Sequence, residues 1–220
     1  VLSGLAALAA SRHDFRSALR LSRRVVALAP DTARGYGLLG DALLELGRYD
    51  AAFRAFERMV ELKPSLGGYA RIAYARELLG RPRQALEAME LALDASGNLP
   101  EPTAWTFVEI GKLHFSLGEL EQARQAFRSA LAVFPGYPFA LDGLAKAEAA
   151  RGRTARAVAL ARQAAEAVPL PQFVATLADL HAARGERGQA HEQVALIGAI
   201  ERVLATNGVN SDLELALFRV

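Results

Sequence analysis

Cysteine is absent from the 220-residue sequence. Its absence excludes disulfide bonds, thiolate metal sites and a cysteine nucleophile, and it leaves the redox compartment undecided. The sequence also lacks a strong excess of either charge, because 26 basic residues nearly balance 24 acidic residues and the net charge is +2. Without a strong overall field, nucleic acid and anionic membranes are not expected as main partners.

Long apolar runs are also missing, and no stretch approaches the 18 or more residues of a membrane-spanning helix. The opening VLSGLAALAASR is similar to the end of a signal peptide, but it lies in register with the repeats described below, which favours a first repeat helix. The chain begins at Val1 rather than at methionine, so we expect a fragment or a processed product. A cytoplasmic location is favoured, although the compartment stays open.

Motifs of catalysis and cofactor binding are incomplete. The segment from Gly35 to Gly40 matches G-x-G-x-x-G by letter, but no strand precedes it, so the backbone is not set to receive a pyrophosphate. His191 and Glu192 begin an H-E-x-x-H pattern in which Ala195 stands where the second zinc ligand is needed. G-x-S-x-G, P-loop and EF-hand sequences are lacking. We therefore expect no catalytic residue, no cofactor and no metal.

What the sequence does contain is a pair of amphipathic helices joined by a tight turn, between Ala33 and Pro64. Apolar or small residues recur at the i, i+3, i+4 and i+7 spacing of a helix face. In the first helix they are Tyr36, Leu39, Gly40 and Leu43, and in the second Ala52, Phe56, Met59 and Val60. Gly47 separates the two helices, and Pro64 ends the second.

This unit recurs along the chain. The turn glycine returns at Gly47, Gly80, Gly118, Gly152 and Gly185, and the stop proline at Pro30, Pro64, Pro135 and Pro169. A small residue follows each turn, at Ala18, Ala52, Ala85, Ala123, Ala157 and Ala190. Successive alanines lie 33 to 38 residues apart. A fixed period of about 34 residues predicts stacked helix–turn–helix repeats.

The motif resembles that of tetratricopeptide-repeat (TPR) proteins, in which an aromatic residue, Leu-Gly, alanine, phenylalanine and proline recur. The second and fourth units carry it best, as Leu39-Gly40, Ala52, Phe56 and Pro64 and as Ile110-Gly111, Ala123, Phe127 and Pro135. The resemblance implies an all-α right-handed superhelical solenoid of about six repeats plus a C-terminal helix. We place the repeats at about 1–31, 32–65, 66–99, 103–136, 137–170 and 171–204, and the last helix at 210–219.

Two details depart from a regular repeat. The longest interval, between Ala85 and Ala123, contains extra residues that we assign to a loop over Ser96–Thr103. We interpret that loop as tolerated structure rather than as a binding element. His114 and His181 occupy equivalent positions two repeats apart, which favours hydrogen-bonded, partly buried side chains over a shared metal site.

In TPR proteins, the face of each first helix that points away from its partner helix lines a concave groove that binds peptides. The resemblance therefore implies a non-catalytic scaffold that binds a protein or peptide partner. The implied partner-binding residues are Arg34, Asp41, Arg71, Tyr74, Trp105, Glu109, Lys112, Phe115, Phe139, Asp142 and Lys146. Trp105 is expected to be the main anchor, because packing within its own helix pair does not account for it. The family's carboxylate clamp is missing, because its positions hold Ala70, Tyr74, Glu109, Phe139 and Gly143, which argues against recognition of chaperone tails.

Two other uses of the surface stay open. The groove or the C-terminal helix could bind another copy of the chain, giving a homo-oligomer. Alternatively, Arg16, Arg20, Arg23 and Arg24 could form an anion-binding patch on an outer helix, although a solvated face is the simpler interpretation.

Overall fold

The computed structural model describes residues 1–97 and 99–207, which form twelve α-helices and no strand. The helices are α1 (Leu2–Ser11), α2 (Phe15–Leu28), α3 (Ala33–Glu45), α4 (Tyr49–Leu62), α5 (Leu66–Leu78), α6 (Pro82–Asp94), α7 (Pro100–Ser116), α8 (Leu120–Val133), α9 (Pro138–Ala150), α10 (Thr154–Ala167), α11 (Pro171–Ala183) and α12 (Arg187–Thr206). This confirms the predicted all-α helical-repeat fold.

The helices belong to two compact units. The first unit, Val1–Leu99, holds α1 to α6, and the second begins at Pro100 and holds α7 to α12. Within each unit every helix packs on the next one along the chain. The first helices of neighbouring repeats also contact each other, α1 with α3 and α3 with α5 in the first unit, and α7 with α9 and α9 with α11 in the second. Each unit therefore presents a continuous surface of first helices.

The turns within the helix pairs follow one pattern. The glycine after each first helix from α3 onward adopts a positive φ, for example 71° at Gly47. The next residue donates its N–H to a carbonyl five residues back, as from Arg48 to Leu43 at 2.8 Å, which is the Schellman arrangement. In the first repeat His13 takes the glycine's place with a φ of 57°. The predicted turn glycines are thus confirmed.

The end of the third repeat differs from the prediction. The assignment of Ser96–Thr103 to a loop is wrong for its second half, because α7 already begins at Pro100. Proline is tolerated in the first helical turn, where backbone N–H groups have no helical acceptor. From the second turn, Thr106 donates its hydroxyl to the Pro102 carbonyl of the first turn at 2.9 Å. The extra residues therefore lengthen α7 to 17 residues.

The C-terminal predictions have two outcomes. Helix α12 runs to Thr206 and Asn207 follows it, so the helix ends two residues beyond the sixth repeat as placed from the sequence. The predicted helix over 210–219 lies outside the described residues.

Close helix contacts depend on small residues that face large ones. The alanines after the turns at positions 18, 52, 85, 123 and 157 are at most 1% exposed. Phe56 and Phe127 are each 1% exposed, and they lie against glycines of the neighbouring helices. The second unit's main core cluster surrounds Phe127, with Val108, Tyr137 and Leu144 among its members.

Candidate functional site

A cavity of about 460 Å³ opens on the surface of first helices in the second unit. Its lining residues come from four helices: Lys112 and Phe115 on α7, Phe127 on α8, Phe139, Asp142, Gly143 and Lys146 on α9, and Gln172 and Phe173 on α11. The structure thus brings together five of the predicted groove residues, Lys112, Phe115, Phe139, Asp142 and Lys146.

The apolar floor of the cavity exists because Gly143 has no side chain. A Cβ atom at this position would lie 2.4 Å from Cε1 of Phe127, so the ring fills the space that a side chain would take. One wall is formed by Phe139 and Phe173, whose rings pack edge to face with centroids 5.2 Å apart. Aromatic carbon therefore makes up much of the inner surface.

The charged residues at the rim take part in two ion pairs, and of these residues Lys112, Asp142 and Lys146 line the cavity. Lys146 donates from Nζ to Oδ2 of Asp142 at 2.8 Å, and Lys112 donates from Nζ to Oε1 of Glu109 at 2.7 Å. The Asp142 side chain is only 10% exposed, whereas both lysines are about half exposed. Oδ1 of Asp142 is buried and has no hydrogen-bond partner in the described residues. Because the two pairs balance, the rim is electrically neutral.

Trp105 does not line this cavity. It is partly buried and packs against the core cluster that includes Ala104, Val108 and Phe127. Trp105 is therefore packed against a cluster that includes residues of its own helix pair, contrary to the premise that packing within this pair leaves it unexplained, and its role as an anchor stays a prediction. The residue still shares a helix face with Glu109 and Lys112, which follow one and two turns later on α7.

The four predicted groove residues of the first unit, Arg34, Asp41, Arg71 and Tyr74, do not all line one cavity. Arg34 and Arg71 line a cavity of about 430 Å³ together with Lys63 and Ser65, among others. Arg71 holds Asp41 in a two-point ion pair, from Nε to Oδ1 at 2.8 Å and from Nη2 to Oδ2 at 3.0 Å. This pair joins the second repeat to the third.

Tyr74, the fourth of these residues, is 51% exposed and lies outside that cavity.

Sequence reasoning missed three of the nine lining residues of the larger cavity, Phe127, Gly143 and Phe173. The ninth, Gln172, lies on the first-helix face that the family resemblance implies for the groove. Phe127 was assigned to packing alone, and Gly143 was used only to rule out the carboxylate clamp. The signal that could have found the cavity is a glycine on the groove face of one first helix, 16 residues after a large aromatic residue of the preceding second helix. Such a pair lets the next first helix pass directly over the aromatic ring, with no side chain of its own at that point.

The two histidines join the helices of their own repeats. Nδ1 of His114 lies 2.7 Å from Oε2 of Glu119, and Nδ1 of His181 lies 2.6 Å from Oε2 of Glu186. The prediction of hydrogen-bonded, partly buried histidines is confirmed, and His181 is in fact only 3% exposed. The hydrogen bond from His181, followed by that from Arg184, holds the pKa of Glu186 below its usual value.

We expect Glu186 to make a pH-dependent contribution to stability. A carboxyl group whose pKa is lowered by folding stabilises the fold above its unfolded pKa, and this contribution is lost as the pH falls through the folded pKa. The Tm of Glu186→Ala should therefore lie below that of the native chain at pH 7, and the difference should shrink in acid. The exposed Glu166→Ala is the control, with little change at either pH. A Tm difference for Glu186→Ala that is the same at both pH values would contradict this role.

Outside the cavities, the four arginines of α2 (positions 16, 20, 23 and 24) are exposed. Arg20 donates to the hydroxyl of Ser17 at 2.8 Å. Among the helices that the structure describes, none has the length and apolar character needed to cross a membrane.

Comparison with known proteins gives the family. The sequence profile described as tetratricopeptide repeat matches residues 3–66 and 108–170, more than half of the chain. The chain is 29% identical over 150 residues to anaphase-promoting complex subunit 7 of Arabidopsis thaliana, a match that covers 68% of this chain and 26% of that protein. The chain thus spans about a quarter of the length of this curated relative.

Solved structures share the fold. PilW, described as a type IV pilus biogenesis factor, is 18% identical and superposes with a TM-score of 0.74 over 98% of this chain and 96% of its own. YrrB, described as a TPR protein with an unusual peptide-binding site, is 18% identical, with a TM-score of 0.57 over 78% of this chain and 87% of its own. At these identities the likeness concerns the fold alone. With its repeated glycines, alanines and prolines, its helix pairs and the profile match, the chain belongs to the tetratricopeptide-repeat family.

Proposed function

We propose that the chain is a non-catalytic protein-interaction scaffold, and that the first-helix surface of its second unit binds a peptide segment of a partner protein. The observation that carries this proposal is the open cavity between α7, α9 and α11, which has an aromatic floor and a charged rim. A concave site lined mainly by apolar side chains and carrying a few charged groups is typical of a binding site, and here Phe115 and Phe139 are the partly exposed rings.

The residue types of this surface fit peptide recognition. The phenyl rings of Phe115 and Phe139 offer apolar contact area, which supplies affinity when a partner side chain covers them. Glu109, Lys112 and Lys146 surround them with fixed charges of both signs, which favour one orientation of the partner more than they add affinity. Trp105 extends the same face toward the start of α7.

The relatives support this proposal at the level of the family. Among solved TPR structures, YrrB is described as having a peptide-binding site. Among curated relatives, the Hsp70-Hsp90 organizing protein of Triticum aestivum is 36% identical over 106 residues, covering 47% of this chain and 18% of that protein. Its name describes a protein that organises other proteins, which is the type of role we propose.

The test begins with affinity capture by the 220-residue chain from its source organism and identification of the captured protein. The affinity for that partner is then measured for Lys112→Glu, whose side chain is 54% exposed and can be changed without disturbing the core. We expect weaker binding, a changed salt dependence and an unaltered Tm. Arg20→Glu on α2 is the matched charge-reversal control and should bind as the native chain does.

Trp105→Ala tests the proposed anchor, and we expect it to weaken binding by about 2 kcal/mol or more. Because Trp105 packs on the core, the Tm of the Trp105→Ala variant must be measured together with its affinity for the partner. If Trp105→Ala and Lys112→Glu both fold and bind normally, the proposed face is not the binding face. If Arg20→Glu alone abolishes binding, the arginine-rich surface of α2 is the surface that binds the partner.

A further inference from the structure

We propose that the cavity of the first unit binds an acidic peptide segment, and that a glutamate carboxylate of this segment pairs with Arg34 and Lys63. The site lies entirely within the first unit and does not involve the aromatic cavity of the second unit. It therefore goes beyond the function proposed above and is tested independently of it.

The lining of this cavity carries positive charge only. Residues of α3 and α4 border a space of about 430 Å³, together with Lys63 and Ser65 in the connection between α4 and α5 and with Arg71 of α5. Three of the lining residues are basic, Arg34, Lys63 and Arg71, and none of them is acidic. The cavity of the second unit differs, because Asp142 is part of its lining.

Two of the three cations are free to pair with a ligand. Arg71 is engaged, because it donates twice to the carboxylate of Asp41 and, from Nη1, to the carbonyl of Gly67 at 2.9 Å. Arg34 and Lys63 are exposed, and their side chains make no hydrogen bond or ion pair with another described residue. Three cations less the one carboxylate of Asp41 leave a net charge of +2 around the cavity.

The start of α3 adds to this positive field. Ala33 and Arg34, which line the cavity, are the first two residues of the helix. The N-cap Thr32 makes no side-chain hydrogen bond to the helix, and the first turn contains no acidic residue. Asp31, just before the cap, is exposed and forms no ion pair within the described part of the chain. The first backbone N–H groups of α3 thus favour an anion as well.

The apolar part of the lining favours a carboxylate on an aliphatic stem. Leu38 and Met59 are partly buried and border the same space, so the methylene groups of a glutamate side chain gain contacts there. Asp41 disfavours a group of higher charge. Its carboxylate is 36% exposed beside Arg71 and repels a phosphate dianion more strongly than a carboxylate.

The probe is the blocked peptide Gly-Ser-Glu-Glu-Ser-Gly, titrated at low salt into the ¹⁵N-labelled 220-residue chain and followed by NMR. We expect shifts of the amide signals of Arg34, Gly37 and Ser65. The blocked peptide Gly-Ser-Gln-Gln-Ser-Gly keeps the shape without the charge and should bind about tenfold more weakly. A peptide in which phosphoserine and serine replace the two glutamates carries a similar charge on one group, and it should bind no more tightly than the glutamate peptide.

Two variants locate the site. Lys63→Gln and Arg34→Gln should each weaken binding of the glutamate peptide by about threefold, since each removes one of the two free cations. Arg54→Gln is the matched control, because Arg54 of α4 is also exposed, lies outside the cavity and changes the net charge equally. It should bind as the native chain does. All three positions are exposed, so the Tm should stay unchanged.

Equal binding of the glutamate and glutamine peptides would overturn the inference, as would shifts confined to α2 or the lack of any shift at millimolar peptide. An equal loss for Arg54→Gln and Lys63→Gln would overturn it too, because general attraction to a positive surface would then explain the binding. Tighter binding of the phosphoserine peptide would overturn the assignment to a carboxylate. The scaffold function depends on the second unit and is judged separately, by partner binding of Lys112→Glu.

Discussion

Replacing Phe127 with alanine is expected to lower the free energy of unfolding by about 3–5 kcal/mol, the usual cost of removing a fully buried phenyl ring. Phe127 is 1% exposed and lies against the first helix of its own repeat at Gly111 and the first helix of the next repeat at Gly143. Neither glycine has a side chain that could move into the vacated space, so the void should persist and the cost should lie at the upper end.

Chemical denaturation followed by circular dichroism measures the loss, and hydrogen exchange locates it. Repeat proteins need not unfold in one step, so the loss of protection should appear first in α7 to α10. Phe134→Ala is the matched control, because its ring is 38% exposed and much less packing is lost. Similar losses in the two variants would show that Phe127 does not hold the repeats together.

Adding a single methyl group at Gly40 is expected to be destabilising although alanine is the better helix former. A Cβ at this position would lie 2.2 Å from Cε1 of Phe56, whose ring is 1% exposed and has no free space to enter. Overpacking of this kind costs about 1–3 kcal/mol. The expected gain of up to about 1 kcal/mol from replacing a helical glycine offsets only part of it.

Gly198→Ala is the matched control on α12. Its added Cβ would meet only the end of the flexible Arg202 side chain, at 3.6 Å. This variant should gain about 0.5–1 kcal/mol from helix propensity. The two glycine variants should therefore shift the Tm in opposite directions. A rise in Tm for Gly40→Ala would contradict the close approach of α3 and α4.

The sequence predicts the helix pairs because their signals are local. Apolar spacing defines the buried face, glycine permits the left-handed turn and proline marks the end of a second helix, all within one repeat. The start of α7 was mistaken for a loop because proline is compatible with both. Pro100 and Pro102 favour a turn by residue type, yet the first helical turn tolerates them equally well.

The site is less predictable because its contacts join different repeats. Trp105 packs on a cluster that combines residues of its own helix pair with residues of the next repeat, such as Ala140 and Leu144. Asp41 and Arg71 come from separate repeats and pair with each other. The position of a residue along a helix determines the face of the helix on which its side chain lies. Whether a neighbouring repeat buries that face depends on how the repeats stack, which the sequence of one repeat does not show.

The central claim, that the first-helix surface of the second unit contacts the partner, is tested most directly by site-specific photo-cross-linking. Gln172 is exposed and lines the cavity, so a benzophenone amino acid placed there would touch a bound peptide without disturbing the core. The same amino acid at Arg20 on α2 is the control. We predict that the captured partner cross-links to position 172 and not to position 20. Adducts at position 20 with none at position 172 would contradict the account.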